Sequence, residues 1–244
     1  MKALTAEQKT FYDENGYLVR EGVLAGAQID ALDQEIQGLH ERMAENPADG
    51  IHISWEEQQD LNAPRRILQL MHSELVSPTL NTILRSDSTL DVVEDLIGPN
   101  VSLYHSKLLM KAAGAGTAIP WHQDYAYWKS EGNQPLMINC QIAIDESTPE
   151  NGCLEFVPGS HLWGLQEHER EQRAFGVALP GRHQPRADAV AVPLRPGDGV
   201  FFNSLVIHGS RANTSEHDRR MNTFAYNVTG NNPDQCREIL RGKN

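Results

Sequence analysis

The chain has 244 residues, 39 % of them apolar and 22 % charged, which excludes a disordered chain and suits one globular domain over residues 1–244. Its 21 basic and 33 acidic residues give a net charge of −12 with histidine neutral, a surface that repels phosphate, so neither nucleic acid nor an anionic membrane is an expected partner. There is no membrane-length apolar run, the opening MKALTAEQKTFYDENG lacks the apolar segment of a secretory signal, and Cys140, Cys153 and Cys236 show no zinc spacing, so a reducing, cytoplasmic setting is expected.

The first hundred residues read mostly as helix. Thr5 followed by Gln8 fits a capping box. Between Ala27 and Glu45, Ile29, Leu32, Ile36, Leu39 and Met43 recur at steps of three and four, one apolar stripe on a helix. Asn46-Pro47 and Asp49-Gly50 end it. Ile67 to Leu75 and Pro78 to Leu84 read as shorter helices, and Gly98-Pro99-Asn100 is a stop. From residue 101 to about 230 the pattern changes to strands: Val101–Lys111, Leu136–Ile144, Leu154–Val157, Ala189–Leu194, Gly199–Phe202, Val206–Ser210 and Met221–Val228. Pro149-Glu150-Asn151-Gly152, Pro158-Gly159-Ser160 and Pro196-Gly197-Asp198-Gly199 supply turns between them. Many short strands after a helical segment predict a mainly β sandwich or closed jelly roll with N-terminal helices. The longest irregular stretch is Leu165 to Arg186; Gln166 to Arg173 reads as a solvated helical run, and Phe175 to Arg186, with Gly176, Pro180 and Gly181, as a lid.

Two histidines and a carboxylate on one face of an iron(II) ion leave its other positions open to ligands. The compact way to supply two of them is His-x-Asp/Glu, which occurs as His72-Ser73-Glu74 and His122-Gln123-Asp124. Chance alone produces such pairs, so geometry has to separate them. In a helical reading His72 and Glu74 point about 200° apart. In the strand-like segment after Pro120, His122 and Asp124 share a side. A further histidine, His208, ends an apolar strand before Gly209-Ser210, and Arg219 follows it by eleven positions. Trp121, Tyr125, Tyr127 and Trp128 around the motif read as core packing, Cys140 and Cys153 as small core residues, and His105 and His161 as structural. Neither a phosphate-binding glycine loop nor a nucleophile elbow is present.

The segments PWHQDYAYW, DESTPENGCLEFVPGSH and RPGDGVFFNSLVIHGS, with the arginine at His208 plus eleven, resemble the phytanoyl-CoA dioxygenase family of iron(II)/2-oxoglutarate oxygenases over about Leu103 to Tyr226. The resemblance implies a double-stranded β-helix (jelly roll, cupin-like). It implies His122, Asp124 and His208 as iron ligands, Arg219 as the partner of the far carboxylate of 2-oxoglutarate, and Ser210 as a hydrogen-bond donor to it. Lys107 and Gln141 fall on positions lining the co-substrate pocket, Gln141 where many relatives carry tryptophan, and Arg66 matches a further basic contact. Halogenating relatives have alanine or glycine in place of the carboxylate ligand, so Asp124 argues against halogenation. The implied reaction is hydroxylation of a small molecule with O2, coupled to decarboxylation of 2-oxoglutarate to succinate. Desaturation, epimerisation and ring formation use the same chemistry and stay open, as does a jelly-roll metal-binding protein without turnover. The acidic chain has no basic patch for a CoA phosphate, which favours a free small metabolite, and nothing in it signals an oligomeric state.

Overall fold

The main strands carry two different sequences, one on each face, and this organises the molecule. The computed structural model describes residues 1–46, 48–56, 65–114, 116–170, 176–181, 186–232 and 238–242. Its helices are α1 (Ala6–Asn15), α2 (Gly26–Ile36), α3 (Leu39–Glu45), α4 (Pro78–Ile83), α5 (Asp87–Ile97) and the single turn α6 (Tyr125–Trp128). Its strands are β1 (Tyr17–Arg20), β2 (Ile53–Trp55), β3 (Ile67–Met71), β4 (Val101–Lys111), β5 (Ile119–His122), β6 (Met137–Ala143), β7 (Leu154–Phe156), β8 (Glu169–Arg170), β9 (Val177–Ala178), β10 (Val190–Val192), β11 (Gly199–Asn203), β12 (His208–Ser210), β13 (Arg219–Val228) and β14 (Glu238–Arg241). Among the described residues, a major antiparallel sheet runs β1-β11-β6-β13-β4-β3-β2, with β14 also on β4, and a minor one runs β10-β7-β12-β5. The two sheets enclose a cavity, the jelly-roll arrangement expected from the strand pattern.

On the major sheet the even-numbered residues Leu108, Met110, Ile138, Cys140, Ile142 and Phe224 join Leu32, Ile36, Leu80, Ile83, Leu90 and Val93 of the helices in the main apolar core. The odd-numbered Lys107, Leu109, Gln141 and Thr223 face the cavity, together with His122, Leu154 and His208 of the minor sheet. A period of two assigns the faces. Helices cover one face and the minor sheet the other, so all seven residues of β6 are buried. Burial of each large apolar side chain under the helices contributes roughly 1.5–3 kcal/mol, and α5 alone buries Leu90, Val92 and Val93.

The capping box forms as expected: Gln8 N donates to Thr5 Oγ1 at 3.3 Å and Thr5 N donates to Gln8 Oε1 at 3.0 Å. The long amphipathic helix divides in two at Gln37-Gly38, where Gly38 takes φ 71°. The expected helix Ile67–Leu75 is overturned. Ile67–Met71 forms β3 between β2 and β4, because the apolar run ILQLM covers an otherwise open edge of β4. A short apolar run fits strand or helix equally, and the partner decides. His72 then turns the chain in a left-handed conformation, φ 61°, and Ser73–Leu75 is a 3-10 turn. The helical reading of Gln166–Arg173 also fails where the structure describes it: Glu169–Arg170 is β8, paired with β9. Residues 171–175 and 182–185, parts of that run and of the expected lid, lie outside the described residues, as does Cys236. Cys140 and Cys153 are buried and free.

The turn Pro149-Glu150-Asn151-Gly152 needs its glycine. Gly152 has φ +76°, and a Cβ there would stand 2.2 Å from the carbonyl oxygen of Arg211. Gly230, at φ +90°, has nothing within 4 Å of that position. Gly152→Ala is therefore predicted to destabilise by about 3 kcal/mol, a left-handed penalty of roughly 1–2 plus overpacking of roughly 1–3. Gly230→Ala should show the first part alone; urea denaturation of both variants checks the difference.

Candidate metal centre and its cavity

The minor sheet builds the centre. β12 pairs with β5 so that His208 stands opposite His122, ring centroids 4.2 Å apart. His122 Nδ1 lies 2.8 Å from the carbonyl oxygen of Pro120, and His208 Nδ1 lies 3.0 Å from that of Val206. A carbonyl only accepts, so in each ring Nδ1 carries the proton and Nε2 keeps the lone pair a metal needs. The two Nε2 atoms lie 3.5 and 3.7 Å from Asp124 Oδ1 and Oδ2. One ligand atom from each of the three residues fits within 4.8 Å of the others, and all three residues are buried. Asn139 Nδ2 donates to Asp124 Oδ2 at 2.7 Å and fixes the carboxylate.

Asp124 reaches this point by a route different from the strand-like geometry expected for His122-Gln123-Asp124. β5 ends at His122 and the backbone is already helical at Asp124, φ −59° and ψ −32°, where α6 starts. Gln123, fully buried, anchors the change of direction. Its Nε2 donates to the carbonyls of Gly164 (3.0 Å) and Leu205 (2.6 Å), and its Oε1 accepts from Gln166 N (2.8 Å). The rival pair, His72 and Glu74, has another use: Ser106 Oγ donates to Glu74 and ties the 3-10 turn to β4.

Burial opposes ionisation of Asp124, but Lys107, His208 and His122 around it together hold its carboxyl well below the usual carboxylate range. Burial, reinforced by neighbouring His122, pushes His208 down to about 3. The centre thus presents one anion and a neutral imidazole at ordinary pH.

The cavity has a volume of about 400 Å³, and its wall includes His122, Asp124, His208, Lys107, Gln141 and Thr223. Lys107, Thr223 and Gln141 stand in register across β4, β13 and β6. Arg219 and Ser210 are buried and stand outside this wall, Arg219 on the cavity face of β13 beyond Met221. Arg219 donates from Nη1 to Met221 Sδ at 3.0 Å, while its Nε has no partner; Ser210 Oγ and Thr223 Oγ1 have none either. Burial pushes the guanidinium down to about 10, which leaves it charged at neutral pH. A buried cation without a carboxylate partner among the described residues, in an interior that also holds the unpartnered hydroxyls of Ser210 and Thr223, fits an anionic ligand carrying a carboxylate.

Several residues were missed in the sequence. Lys111 lies opposite Arg219 in the β4/β13 register and is buried, its Nζ donating to the carbonyl of Arg211. Burial, then the charge of Arg219, pushes it well below the ordinary lysine range. Alternation along β4 from Lys107 was the available signal. Asn139, Thr223, Tyr104 and Glu131 had no local signature, and His105, expected to be structural, forms part of the wall. His161 stays outside, its Nε2 3.1 Å from the carbonyl of Asp13, and Arg66 pairs with Asp218 at the surface.

A model of the family described as phytanoyl-CoA dioxygenase (PhyH) matches residues 12–221. A probable phytanoyl-CoA dioxygenase of Caenorhabditis elegans is 30 % identical over 97 % of this chain and 78 % of that protein. The ectoine dioxygenase of Bordetella parapertussis is 27 % identical over 94 % and 77 %. Among solved structures, EctD from S. alaskensis with 2-oxoglutarate and 5-hydroxyectoine superposes with a TM-score of 0.74 at 24 % identity, covering 93 % of this chain and 77 % of that one, a likeness of fold.

The state of His208 has a consequence for the metal-free protein. Between the ordinary histidine value of 6.5 and about 3, the unfolded chain binds a proton at this residue and the folded chain does not. Stability must then fall as pH falls through that window, by at most about 1.4 kcal/mol per pH unit from one such group. Urea titrations of metal-free protein from pH 7.5 to 4.5 should show this loss, and His208→Asn should flatten the slope by about one proton.

Proposed function

We propose a division of labour among the residues of this chain, which belongs to the phytanoyl-CoA dioxygenase family and is an iron(II)/2-oxoglutarate-dependent dioxygenase. His122, Asp124 and His208 hold iron(II) by one nitrogen, one oxygen and one nitrogen, a donor set suited to that ion, leaving positions for 2-oxoglutarate and O2. When bound, the iron couples oxidative decarboxylation of 2-oxoglutarate to succinate with hydroxylation of a substrate C–H bond. The carbonyls of Pro120 and Val206 aim the two imidazoles, and Asn139 aims the carboxylate.

Arg219 pairs with the far carboxylate of 2-oxoglutarate, and Ser210 and Thr223 donate hydroxyl hydrogen bonds to it. The support is that Arg219 Nε, Ser210 Oγ and Thr223 Oγ1 are buried and have no partner among the described residues. A planar guanidinium offers two parallel donors to a carboxylate and keeps its charge at all working pH values. Lys107 and Gln141, in register with Thr223, complete the polar row beside the metal ligands and orient the co-substrate. A cavity of about 400 Å³ suits a small-molecule substrate. Among the described residues no helix is long and apolar enough to cross a membrane, and the free Cys140 and Cys153 accord with the cytoplasmic setting we assign.

The observation that carries this reading is the meeting of three ligand atoms within 4.8 Å in a buried site. The test is succinate release from 2-oxoglutarate in iron-loaded protein exposed to air, alongside measured iron content. Asp124→Ala should lose both iron and turnover. Arg219→Ala should weaken 2-oxoglutarate by about 2–5 kcal/mol, roughly 30- to 4,000-fold in apparent affinity. An unchanged affinity would remove Arg219 from the co-substrate site.

A further inference from the structure

The wall of the cavity differs in chemistry from one part to another. One part holds the metal ligands and Lys107, whose charge acts on both Asp124 and His208. Another part of the wall is aromatic and carries a carboxylate: Tyr104, His105, Trp128 and Glu131. A β-bulge makes this wall. Ala225 pairs with His105 and Tyr226 with Leu103, so Tyr104 is an extra residue on β4, and Tyr104 and His105 both turn to the cavity. The Tyr104 and Trp128 rings meet edge to face, centroids 5.5 Å apart. Glu131 ends the 3-10 turn that follows α6, and its carboxylate accepts a hydrogen bond from Tyr104 Oη. Among the described residues no lysine, arginine or histidine forms an ion pair with it; the residue as a whole is exposed, and partial desolvation of its carboxyl holds that group above the ordinary glutamate value.

An anionic substrate would meet Glu131 at this wall, and Lys107, the one lysine of the cavity wall among the described residues, acts on Asp124. A neutral substrate would cover Glu131 further without compensating it. A cation would be held by the carboxylate and by the faces of the flanking rings, and the net charge of −12 would draw it in. We propose that the cavity selects small organic cations, with an ammonium group held at Glu131 against the Tyr104–Trp128 pair and the rest of the molecule directed at His122, Asp124 and His208. This deepens the reading of the cavity as a substrate site and rests on it.

Two matched pairs of probes test the proposal by calorimetry, each a cation with its uncharged isostere: choline with 3,3-dimethylbutan-1-ol, and piperidinium with tetrahydropyran. Cyclohexanecarboxylate serves as an anion. Wild-type protein should bind each cation at least about tenfold more tightly than its isostere, and the anion more weakly than either. Glu131→Gln should abolish the preference. Tyr104→Phe, which removes the hydroxyl that positions the carboxylate, should reduce it partially. Equal binding of cation and isostere, or a preference that survives in Glu131→Gln, overturns the proposal. Thermal melting establishes that each variant is folded. The probe titrations are run with and without metal, and iron and 2-oxoglutarate binding are measured separately. Loss of iron or 2-oxoglutarate binding in the wild type counts against the oxygenase assignment of the site, whereas the probe preference alone decides the cation proposal.

Discussion

Because His208 stands opposite His122 across the β5/β12 ladder, two of the three ligands approach from one sheet at a spacing the backbone hydrogen bonds dictate. Each ring is then aimed by a carbonyl two residues earlier on its own chain, Pro120 for His122 and Val206 for His208. The orientation that exposes Nε2 is therefore a property of two short local segments. The third ligand cannot come from the ladder and comes instead from the turn at its end, where buried Gln123 locks the change from strand to helix and Asn139 of the opposite sheet holds the carboxylate. Three electron-rich groups are brought together before any cation arrives, and the surrounding carbonyl and amide hydrogen bonds hold them there.

That arrangement needs a sheet whose inner face is polar, an expensive surface to bury. Lys107, Lys111, Asn139, Gln141, Arg219 and Thr223 all lie on the inner face of the major sheet, and all but Lys107 are buried. The outer face of the same strands is mainly apolar and packs under α2, α4 and α5, with Ser106 and Asn222 as buried polar exceptions hydrogen-bonded to Ser73. The helices thus do more than cover an edge: their packing offsets the cost of a functional interior. Arg219 Nε, Ser210 Oγ and Thr223 Oγ1 are buried and without partners among the described residues, the part of that cost the protein itself leaves uncompensated.

Much of this was legible in the sequence where local rules and tertiary demand agree. Val101–Lys111 is a strand at both expected ends because Gly98-Pro99-Asn100 bounds it before and its two faces are each buried. The convergence of His122, Asp124 and His208 was legible because spacing, strand-end position and family resemblance pointed one way. β3 was illegible because Ile67–Met71 has no strand alternation of its own and is defined by β4 beside it. Tyr17–Arg20 depends in the same way on β11. Alternation also placed Lys107 and Gln141 on the wall, but the bulge at Tyr104 breaks alternation, so no periodic argument puts Tyr104 and His105 on one surface. Alternation from Lys107 could place Lys111 on the inner face, but its position opposite Arg219 required the register between strands over a hundred residues apart.

The illegible residues are also those nearest to selectivity, and one short element links them to the chemistry. α6 follows directly on Asp124, one of the three residues that could hold a metal, and the turn that continues it ends at Glu131. Tyr125 N donates to the carbonyl of Ser204 at 2.9 Å, Tyr125 Oη to that of Asn133 at 3.0 Å, and Asn133 Nδ2 to that of Trp128 at 3.2 Å, so the segment is tied at its start, middle and end. The separation between the wall carboxylate and the metal ligands is then fixed by one hydrogen-bonded unit. With an ammonium group anchored at Glu131, the carbon presented to the metal is chosen by its own distance from that charge. Relatives that keep the triplet but change the length or sequence of this segment would move the anchor, and with it the site of oxidation, without touching a ligand.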